Sequence, residues 1–226
     1  MNAPDRPNPN ASEAVVLVHG LWMSGWALGW LGHRLAAQGY RPHAFSYASM
    51  RLGLEANARE LARYLETIEA DVLHLVGHSM GGLVVYRALA ESGETRPGRV
   101  VLLGSPFLDS LAGRRFDTTG FGHFLLGNSM REWLERPASE WRLPREAGMV
   151  AGSLALGLGQ LVAPDLPRPN DGVVAVEETR VPGIADHIVL PVTHSAMIFS
   201  PRVAVQVAAF LRSGRFQHDA AGPPDA

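Results

Sequence analysis

Short apolar runs alternate with longer amphipathic stretches along most of the chain. The apolar runs are aliphatic at consecutive positions, which is typical of strands buried on both faces of a parallel sheet. Six such runs are present, the second weaker than the others: Ala14–Val18, His43–Tyr47, Val72–Val76, Val100–Leu103, Ala147–Ala151 and His187–Val192. The pattern therefore predicts about six parallel strands.

The amphipathic stretches between these runs predict helices. Leu54–Ile68 places apolar residues on one helical face and Glu and Arg on the other. Leu83–Ala90 begins directly after a pair of glycines, and Pro201–Leu211 has a proline at its start, where a helix tolerates it. No two strands are joined by a tight hairpin turn. The sequence therefore predicts an α/β fold with three layers, α/β/α, around a mainly parallel sheet.

The chain divides into one expected domain and two polar tails. Residues 1–12 are rich in Asn and Pro, and residues 217–226 are polar and also contain Pro, so we expect both to be disordered. The single domain is expected over 13–216. Within it, residues 106–145 contain no clean strand but many large apolar side chains, which predicts a small lid or pocket wall instead of a large cap domain.

Three tryptophans, Trp22, Trp26 and Trp30, recur every four residues near the start of the chain. This spacing predicts one buried face of a helix. Trp22 is also a candidate contact for a substrate, because it adjoins a loop that is a candidate for anion binding, described below.

Composition excludes several classes of chemistry. The 226 residues carry a net charge of −2, which gives no electrostatic reason to expect a nucleic-acid partner. All 20 basic residues other than histidine are arginines and cysteine is absent, so lysine Schiff bases, thiolate catalysis and Cys-ligated metals are excluded. We find no metal-binding motif, no signal peptide and no apolar run long enough to span a membrane, and on that basis we expect a cytoplasmic protein without a metal.

The clearest chemical signal is the sequence Gly-His-Ser-Met-Gly around Ser79, which matches G-x-S-x-G. It follows the predicted strand Val72–Val76 and precedes the predicted helix Leu83–Ala90. This context places Ser79 on a tight turn between strand and helix, and the small residues Gly77 and Gly81 give that turn room. The hydroxyl would then stand above the carboxyl edge of the sheet, where open α/β folds bind ligands.

A serine nucleophile also needs donors for a developing oxyanion. The backbone N–H of Met80 lies at the predicted helix N-terminus, and the N–H of Leu21 lies in the loop after the first strand. We expect these two groups to form the oxyanion hole. His19, two residues before Leu21, is expected to brace this loop by hydrogen bonding.

The serine hydroxyl is a weak nucleophile without a base, and nine histidines are available. His194 follows the last predicted strand, so we expect it at the same edge of the sheet as Ser79. His187 begins that strand and should lie at the opposite edge, while His78 is expected to be directed away from the site by the turn. Four others fall inside or at the far side of their elements or in the tail: His33, His43, His74 and His218.

The acid that would orient His194 is less certain from sequence. Asp171 lies in an Asn-Asp-Gly loop after the fifth predicted strand, and Gly172 would permit a tight loop that turns the carboxylate inward. Asn-Asp-Gly is also an ordinary turn. Asp109, just after the fourth strand, is an alternative, and Asp165 is a weaker one. We choose Asp171, because Asp109 lies where the chain enters the apolar segment 106–145.

The order Ser79, Asp171, His194 resembles that of the α/β-hydrolase family, and in particular its minimal bacterial members of the small lipase and esterase type. The resemblance covers roughly residues 14–216. It is carried by five motifs: His19-Gly20-Leu21, Gly77-His78-Ser79-Met80-Gly81-Gly82, Leu103-Gly104-Ser105-Pro106, Asn170-Asp171-Gly172-Val173-Val174 and Leu190-Pro191-Val192-Thr193-His194-Ser195. It implies a Ser79 nucleophile, a His194 base, an Asp171 acid and Leu21 and Met80 as oxyanion donors. Residues 107–141 fit no substrate-defined subgroup.

These features predict a carboxylic-ester hydrolase that acts through an acyl-Ser79 intermediate on a small-molecule ester and needs no cofactor. Phe107, Phe121 and Phe124 are expected, with Trp22, to contact an apolar, short- to medium-chain acyl group. Thioester or amide hydrolysis and acyl transfer are alternatives, because the same triad serves all of them. A protein that keeps the fold for binding alone is a more distant alternative.

Overall fold

The computed structural model describes residues 11–117, 120–156 and 164–218, with the side chains of all of these except residues 116 and 120–126. The strands are β1 Glu13–Val18, β2 Arg41–Phe45, β3 Val72–His78, β4 Val100–Leu103, β5 Ala147–Gly152 and β6 Asp186–Leu190. They form one parallel sheet in the order β2-β1-β3-β4-β5-β6. The predicted parallel sheet of six strands is confirmed, and β3 extends two residues beyond its apolar run.

Helices follow most of the strands. They are α1 Gly29–Ala36, α2 Leu54–Glu66, α3 Met80–Glu91, α4 Leu111–Asp117, α5 Gly120–Glu135 and α6 Pro201–Ser213. Three short 3₁₀ turns lie at Gly25–Leu28, Val176–Thr179 and Met197–Phe199. The helix α6 begins at the predicted proline, and the Ser200 hydroxyl before it accepts the N–H of Val203.

Two hydrophobic cores lie on opposite faces of the sheet. Alternate residues of β1 serve each core: Val16 packs with residues of α2 and α3, whereas Val15 and Leu17 pack with residues of α1 and α6. Because both faces are covered, the strands are apolar at consecutive positions, as the sequence shows. The α/β/α prediction is therefore confirmed.

Residues 106–145 form two helices, and part of this segment completes the core. Phe107 and Trp133 have no exposed surface, and their rings meet at a centroid distance of 5.3 Å. Tyr86 and Trp141 belong to the same aromatic cluster, because both rings contact Phe107. Phe107 is thus a core residue in this structure, which corrects its prediction as a substrate contact. The side chains of Phe121 and Phe124 lie outside the described residues.

The three N-terminal tryptophans do not share a buried helix face, so that prediction is wrong. The helix α1 begins only at Gly29, and Trp26 lies on a 3₁₀ turn with 90% of its surface exposed. Trp22 has a positive φ of 60° and is 53% exposed. Trp30 is half-buried at the start of α1.

Contacts reach slightly beyond the predicted domain limits of 13 and 216. The Ser12 hydroxyl donates to the Asp71 carboxylate at 2.9 Å, and the N–H of Gln217 donates to Gln206 at 2.7 Å. Residues 1–10 and 219–226 lie outside the described residues. Among the helices in the described part, none is both long and apolar enough to cross a membrane.

Candidate active site

Ser79 lies on a sharp turn between the last residue of β3 and the first residue of α3. Its backbone has φ 53° and ψ −123°, a conformation that non-glycine residues adopt only under strain of about 1–3 kcal/mol. The Ser79 N–H donates to the Leu103 carbonyl at 2.8 Å, which ties the turn to the end of β4. The chain crosses itself so closely that a Cβ at Gly77 would lie 2.5 Å from the Gly82 Cα, and one at Gly81 would lie 2.2 Å from the Val18 carbonyl oxygen.

The loop after β1 lies against this turn. A Cβ added at Gly20 would be 3.1 Å from the Ser79 Cβ, so the backbone leading to Leu21 passes beside the serine. Within the described part of the chain, neither the N–H of Leu21 nor that of Met80 donates a hydrogen bond. Both groups are therefore available as donors where the sequence predicts the oxyanion hole.

His19 holds the loop by two hydrogen bonds, as expected. Its Nδ1–H donates to the Gly20 carbonyl at 2.7 Å, and its Nε2 accepts the backbone N–H of Tyr47 at 3.3 Å. The Tyr47 ring stacks on the imidazole, and its hydroxyl donates to the His19 carbonyl at 2.9 Å. Burial lowers the pKa of His19, which keeps the ring in the neutral form that these two bonds require.

His194 and Asp171 form a close pair at the carboxyl edge of the sheet. The His194 Nδ1 and the Asp171 Oδ2 are 2.7 Å apart, and Asp171 is only 1% exposed. The other carboxylate oxygen accepts the backbone N–H groups of Val173 at 2.9 Å and Val174 at 2.7 Å. In addition, the His194 N–H donates to the Asp171 carbonyl at 2.9 Å. The carboxylate therefore fixes the proton on Nδ1 and leaves Nε2 able to accept one.

The two other predicted acids lie elsewhere. Asp109 is half-exposed and pairs with Arg114 at 2.7 Å, and Asp165 pairs with Arg115. Neither aspartate contacts His194 in the described structure. The loop that sequence analysis favoured, with its positive φ of 94° at Gly172, is thus the one that brings a carboxylate to the histidine.

Ser79, after β3, and the Asp171–His194 pair, from the loops after β5 and β6, lie on either side of the end of β4. A Cβ at Gly104, directly after β4, would lie 3.1 Å from the Asp171 Oδ2 and 3.2 Å from the His194 Nδ1. The Ser79 N–H is bonded to the preceding residue, Leu103, so the serine and the Asp–His pair flank the same strand end. Among the described residues, His194 Nε2 makes no hydrogen bond with Ser79. In ligand-free enzymes this contact is often long and tightens only when substrate binds.

Two residues near the pair were not identified from sequence as site residues. Glu178 is buried, and its carboxylate accepts the N–H of Leu111 at 2.6 Å and that of Ala175 at 2.8 Å. Burial raises the pKa of Glu178 to about 7, against the effect of those two donors. Gly104 lies against both members of the pair. No sequence pattern marks Glu178, whereas Gly104 stands in the Leu-Gly-Ser-Pro motif.

Three exposed apolar side chains belong to loops at or near this edge of the sheet. Trp22 follows the oxyanion loop, and Phe199 lies five residues after His194. The 3₁₀ turn of Phe199 packs against the turn of Trp26, and Leu154 hydrogen bonds through its N–H to the Val192 carbonyl. Where the structure is described, no group of three or more His, Asp or Glu side chains could hold a metal ion.

Comparison with known proteins agrees with this architecture. Residues 15–219 match the model of the alpha/beta hydrolase family. A carbendazim hydrolyzing esterase of Nocardioides sp. is 37% identical over 82 aligned residues, which cover 31% of this chain and 33% of that enzyme. The curated relative is therefore matched over about a third of its length.

Solved structures show the same fold. The mature form of the Bacillus licheniformis lipase BlEst2 superposes with a TM-score of 0.68 at 19% identity and covers 93% of this chain and 95% of that one. A metagenomic carboxyl esterase superposes with a TM-score of 0.67 at 20% identity, and the match covers 87% of this chain and 70% of the esterase chain. Since the family match spans nearly all of the described chain, the protein belongs to the alpha/beta hydrolase family.

Proposed function

We propose that this protein is a serine hydrolase of carboxylic esters, with Ser79 as nucleophile, His194 as base and Asp171 as the acid that orients it. The observation that carries the proposal is the buried Asp171–His194 pair, which lies at the same edge of the sheet as the strained turn of Ser79. A structural histidine would not need a buried carboxylate on one nitrogen and an unbonded second nitrogen.

In the proposed acylation step, His194 Nε2 removes the proton of the Ser79 hydroxyl as the oxygen attacks the ester carbonyl carbon. The carbonyl oxygen becomes an oxyanion, which the free N–H groups of Leu21 and Met80 stabilise. The Asp171 carboxylate stabilises the resulting His194 cation. His194 then returns the proton to the leaving alcohol as the carbon–oxygen bond breaks, and the acyl group stays on Ser79.

The second half of the cycle uses the same groups with water in place of the alcohol. His194 takes a proton from a water molecule, and the hydroxide attacks the acyl carbon of the ester to Ser79. The tetrahedral intermediate collapses, the Ser79 oxygen regains its proton from His194, and a carboxylic acid leaves. Every proton that leaves one oxygen is therefore delivered to another by a single imidazole.

The substrate that we propose is an ester with an apolar acyl group of short to medium length. The exposed rim of Trp22, Leu154 and Phe199 supports this, because it offers apolar surface beside the oxyanion loop and the His194 loop. The names of the similar proteins, which are a lipase and two esterases, agree with an ester substrate. Phe121 and Phe124 remain candidate contacts from the sequence.

The test is a series of p-nitrophenyl esters with acyl chains from two to sixteen carbons, measured with the native enzyme, Ser79→Ala and Ser153→Ala. Ser153 is a half-buried serine at the carboxyl end of β5, which makes it a matched control. We expect hydrolysis by the native chain and by Ser153→Ala, and none above background by Ser79→Ala at an unchanged Tm. Full activity of Ser79→Ala would exclude the proposed nucleophile.

Matched thioesters and anilides of the best acyl chain extend the same experiment. Faster turnover of the oxygen ester, expressed as kcat/KM, is the result that the proposal predicts. A higher kcat/KM for the thioester or the anilide would leave Ser79 as the nucleophile, but the proposed substrate class would change from oxygen esters to thioesters or amides.

A further inference from the structure

His78 stands between the strand and the nucleophile, as the last residue of β3. Sequence analysis expected the turn to direct it away from the site. In the structure its side chain is instead buried against the base: the imidazole rings of His78 and His194 are 4.9 Å apart between centroids, at an angle of 44°. Two histidines that are 116 positions apart in the chain are thus in direct contact.

One hydrogen bond fixes this contact and also the tautomer of His78. The Nε2 of His78 lies 3.1 Å from the backbone carbonyl oxygen of His194. Because a carbonyl oxygen can only accept, Nε2 carries the proton and Nδ1 does not. Within the described residues, the buried Nδ1 has no hydrogen-bond partner, and a Cβ at Gly20 would lie 3.0 Å from it.

His78 therefore joins three parts of the site. Its backbone precedes that of Ser79, its Nε2–H donates to the loop of His194, and its Nδ1 edge faces Gly20 in the oxyanion loop. On its other side, the His194 backbone is held by the N–H bond to the Asp171 carbonyl. These two bonds fix the peptide groups on both sides of the His194 Cα.

The charge of His78 suits this position. Burial, with a smaller contribution from His194, lowers the pKa of His78 to about 3, so the ring is neutral throughout the range in which enzymes are assayed. A neutral ring does not compete for the proton of Ser79. It also adds no positive charge beside His194, which becomes a cation in the proposed mechanism.

We propose that His78 is a positioning residue, whose hydrogen bond to the His194 carbonyl sets the distance from the base to the Ser79 hydroxyl. The inference rests on the proposed function of the site. A shift of about 1 Å in a catalytic group can reduce the rate about 100-fold. Loss of this bond should therefore lower kcat, whereas KM, which depends on apolar contacts at the rim, should change little.

The variants His78→Met and His78→Gln separate the hydrogen bond from the volume of the side chain. Both are unbranched and similar in size, but only Gln can donate to the carbonyl. For a p-nitrophenyl ester we expect kcat to fall about 10- to 100-fold in His78→Met at constant KM, and to recover to within a few-fold of the native value in His78→Gln.

His74→Gln is the matched control for loss of a buried histidine. His74 lies in the same strand and is 2% exposed, but it bonds the Arg99 N–H at the opposite edge of the sheet. We expect this variant to lower Tm and leave kcat unchanged. A fall in kcat equal to that of His78→Met would mean that strand destabilisation alone explains the effect.

The rate of labelling by a fluorophosphonate distinguishes this inference from the proposed function. If the native chain is not labelled at Ser79, the proposed function fails. If the native chain and His78→Met are labelled at the same rate and have the same kcat, only the positioning role fails. Equal losses in the folded His78→Gln and His78→Met variants would also overturn it, because the donor would then be irrelevant.

If His78→Met does not fold, His78→Asn replaces it, because the shorter amide cannot reach the carbonyl. An Asn variant as active as the Gln variant would overturn the positioning role.

Discussion

The two edges of the central sheet contain charged groups that are held in different ways. At the amino edge, arginines bond to backbone carbonyls and to acids: Arg145 donates to Leu73 and Arg96 at 2.6 Å each, and Arg99 pairs with Glu146 at 2.7 Å. The arginine charges at this edge are therefore bonded to strand and loop carbonyls and to an acid.

At the carboxyl edge, the carboxylates Asp171 and Glu178 have no arginine among the ion pairs of the described residues. Both carboxylates accept hydrogen bonds from backbone N–H groups, and one oxygen of Asp171 bonds to His194. The strained φ of Ser79 lies at the same edge. We infer that the arginines at the amino edge stabilise the fold, whereas the Asp171 carboxylate at the carboxyl edge serves the proposed reaction. Substitution of Asp171 and substitution of those arginines should therefore change different quantities.

The largest effect is expected for Asp171→Asn. The amide oxygen can still accept from Val173 and Val174, but the NH₂ group would face the His194 Nδ1 and favour the wrong tautomer. We expect kcat to fall by up to about 10⁴-fold with little change in Tm. Asp109→Asn, the exposed alternative, should keep nearly native kcat. If the order of the two variants were reversed, the acid would have to be reassigned.

A smaller loss of activity is expected for Gly104→Ala. The new Cβ would lie 3.1 Å from the Asp171 Oδ2 and 3.2 Å from the His194 Nδ1, so the pair must move. A shift of a few tenths of an ångström relieves these contacts, so we expect kcat to fall by less than the roughly 100-fold loss that a displacement of about 1 Å causes. Gly39→Ala at the amino edge is the matched control, because Gly39 also has a positive φ but no atom within 4 Å of an added Cβ. It should reduce only Tm, and equal kcat values for the two variants would contradict the comparison.

At the amino edge, Arg145→Met should reduce stability without affecting catalysis. The variant removes two charge-assisted hydrogen bonds to the carbonyls of Leu73 and Arg96. We expect the free energy of unfolding, measured with urea, to fall by about 1.5–3 kcal/mol. The kcat for a p-nitrophenyl ester should stay native. A large fall in kcat at unchanged stability would show that this edge also serves the reaction.

The smallest effect on activity is expected for Glu178, which should instead give the stability of the protein a pH dependence. Its pKa is about 7 in the folded protein and lies near the ordinary 4.5 in the unfolded chain, so only the folded state holds this proton between these values. Stability therefore falls as pH rises from about 4.5 to 7, by up to about 1.4 kcal/mol per pH unit from this group, and is level above. Relative to Glu178→Gln, the native chain should lose stability over that interval in urea titrations. Parallel profiles would contradict the assignment.

Most of the fold followed from the sequence because its periodicities are local. The strands are buried on both faces and are therefore apolar at consecutive positions, and the glycines around Ser79 mark a turn that only small residues allow. Asp171 could be preferred over Asp109 because Gly172 permits the loop to close. Its pairing with His194 still needed the structure.

The errors concern residues whose environment depends on distant parts of the chain. The four-residue spacing of Trp22, Trp26 and Trp30 suggested a helix, but a 3₁₀ turn precedes α1 and leaves the first two exposed. The apolar neighbours of Phe107 in the sequence predict a pocket residue, yet its ring packs on Trp133. The contact of His78 joins segments that no local pattern relates.

Labelling with a fluorophosphonate, followed by intact-mass measurement and peptide mapping, tests the central claim most directly, namely that Ser79 is the activated nucleophile. The account predicts one adduct per chain on the peptide that contains Ser79, and no adduct in Ser79→Ala at an unchanged Tm. Stoichiometric labelling of the Ser79→Ala variant, or an adduct mapped to another serine in the native chain, would contradict it.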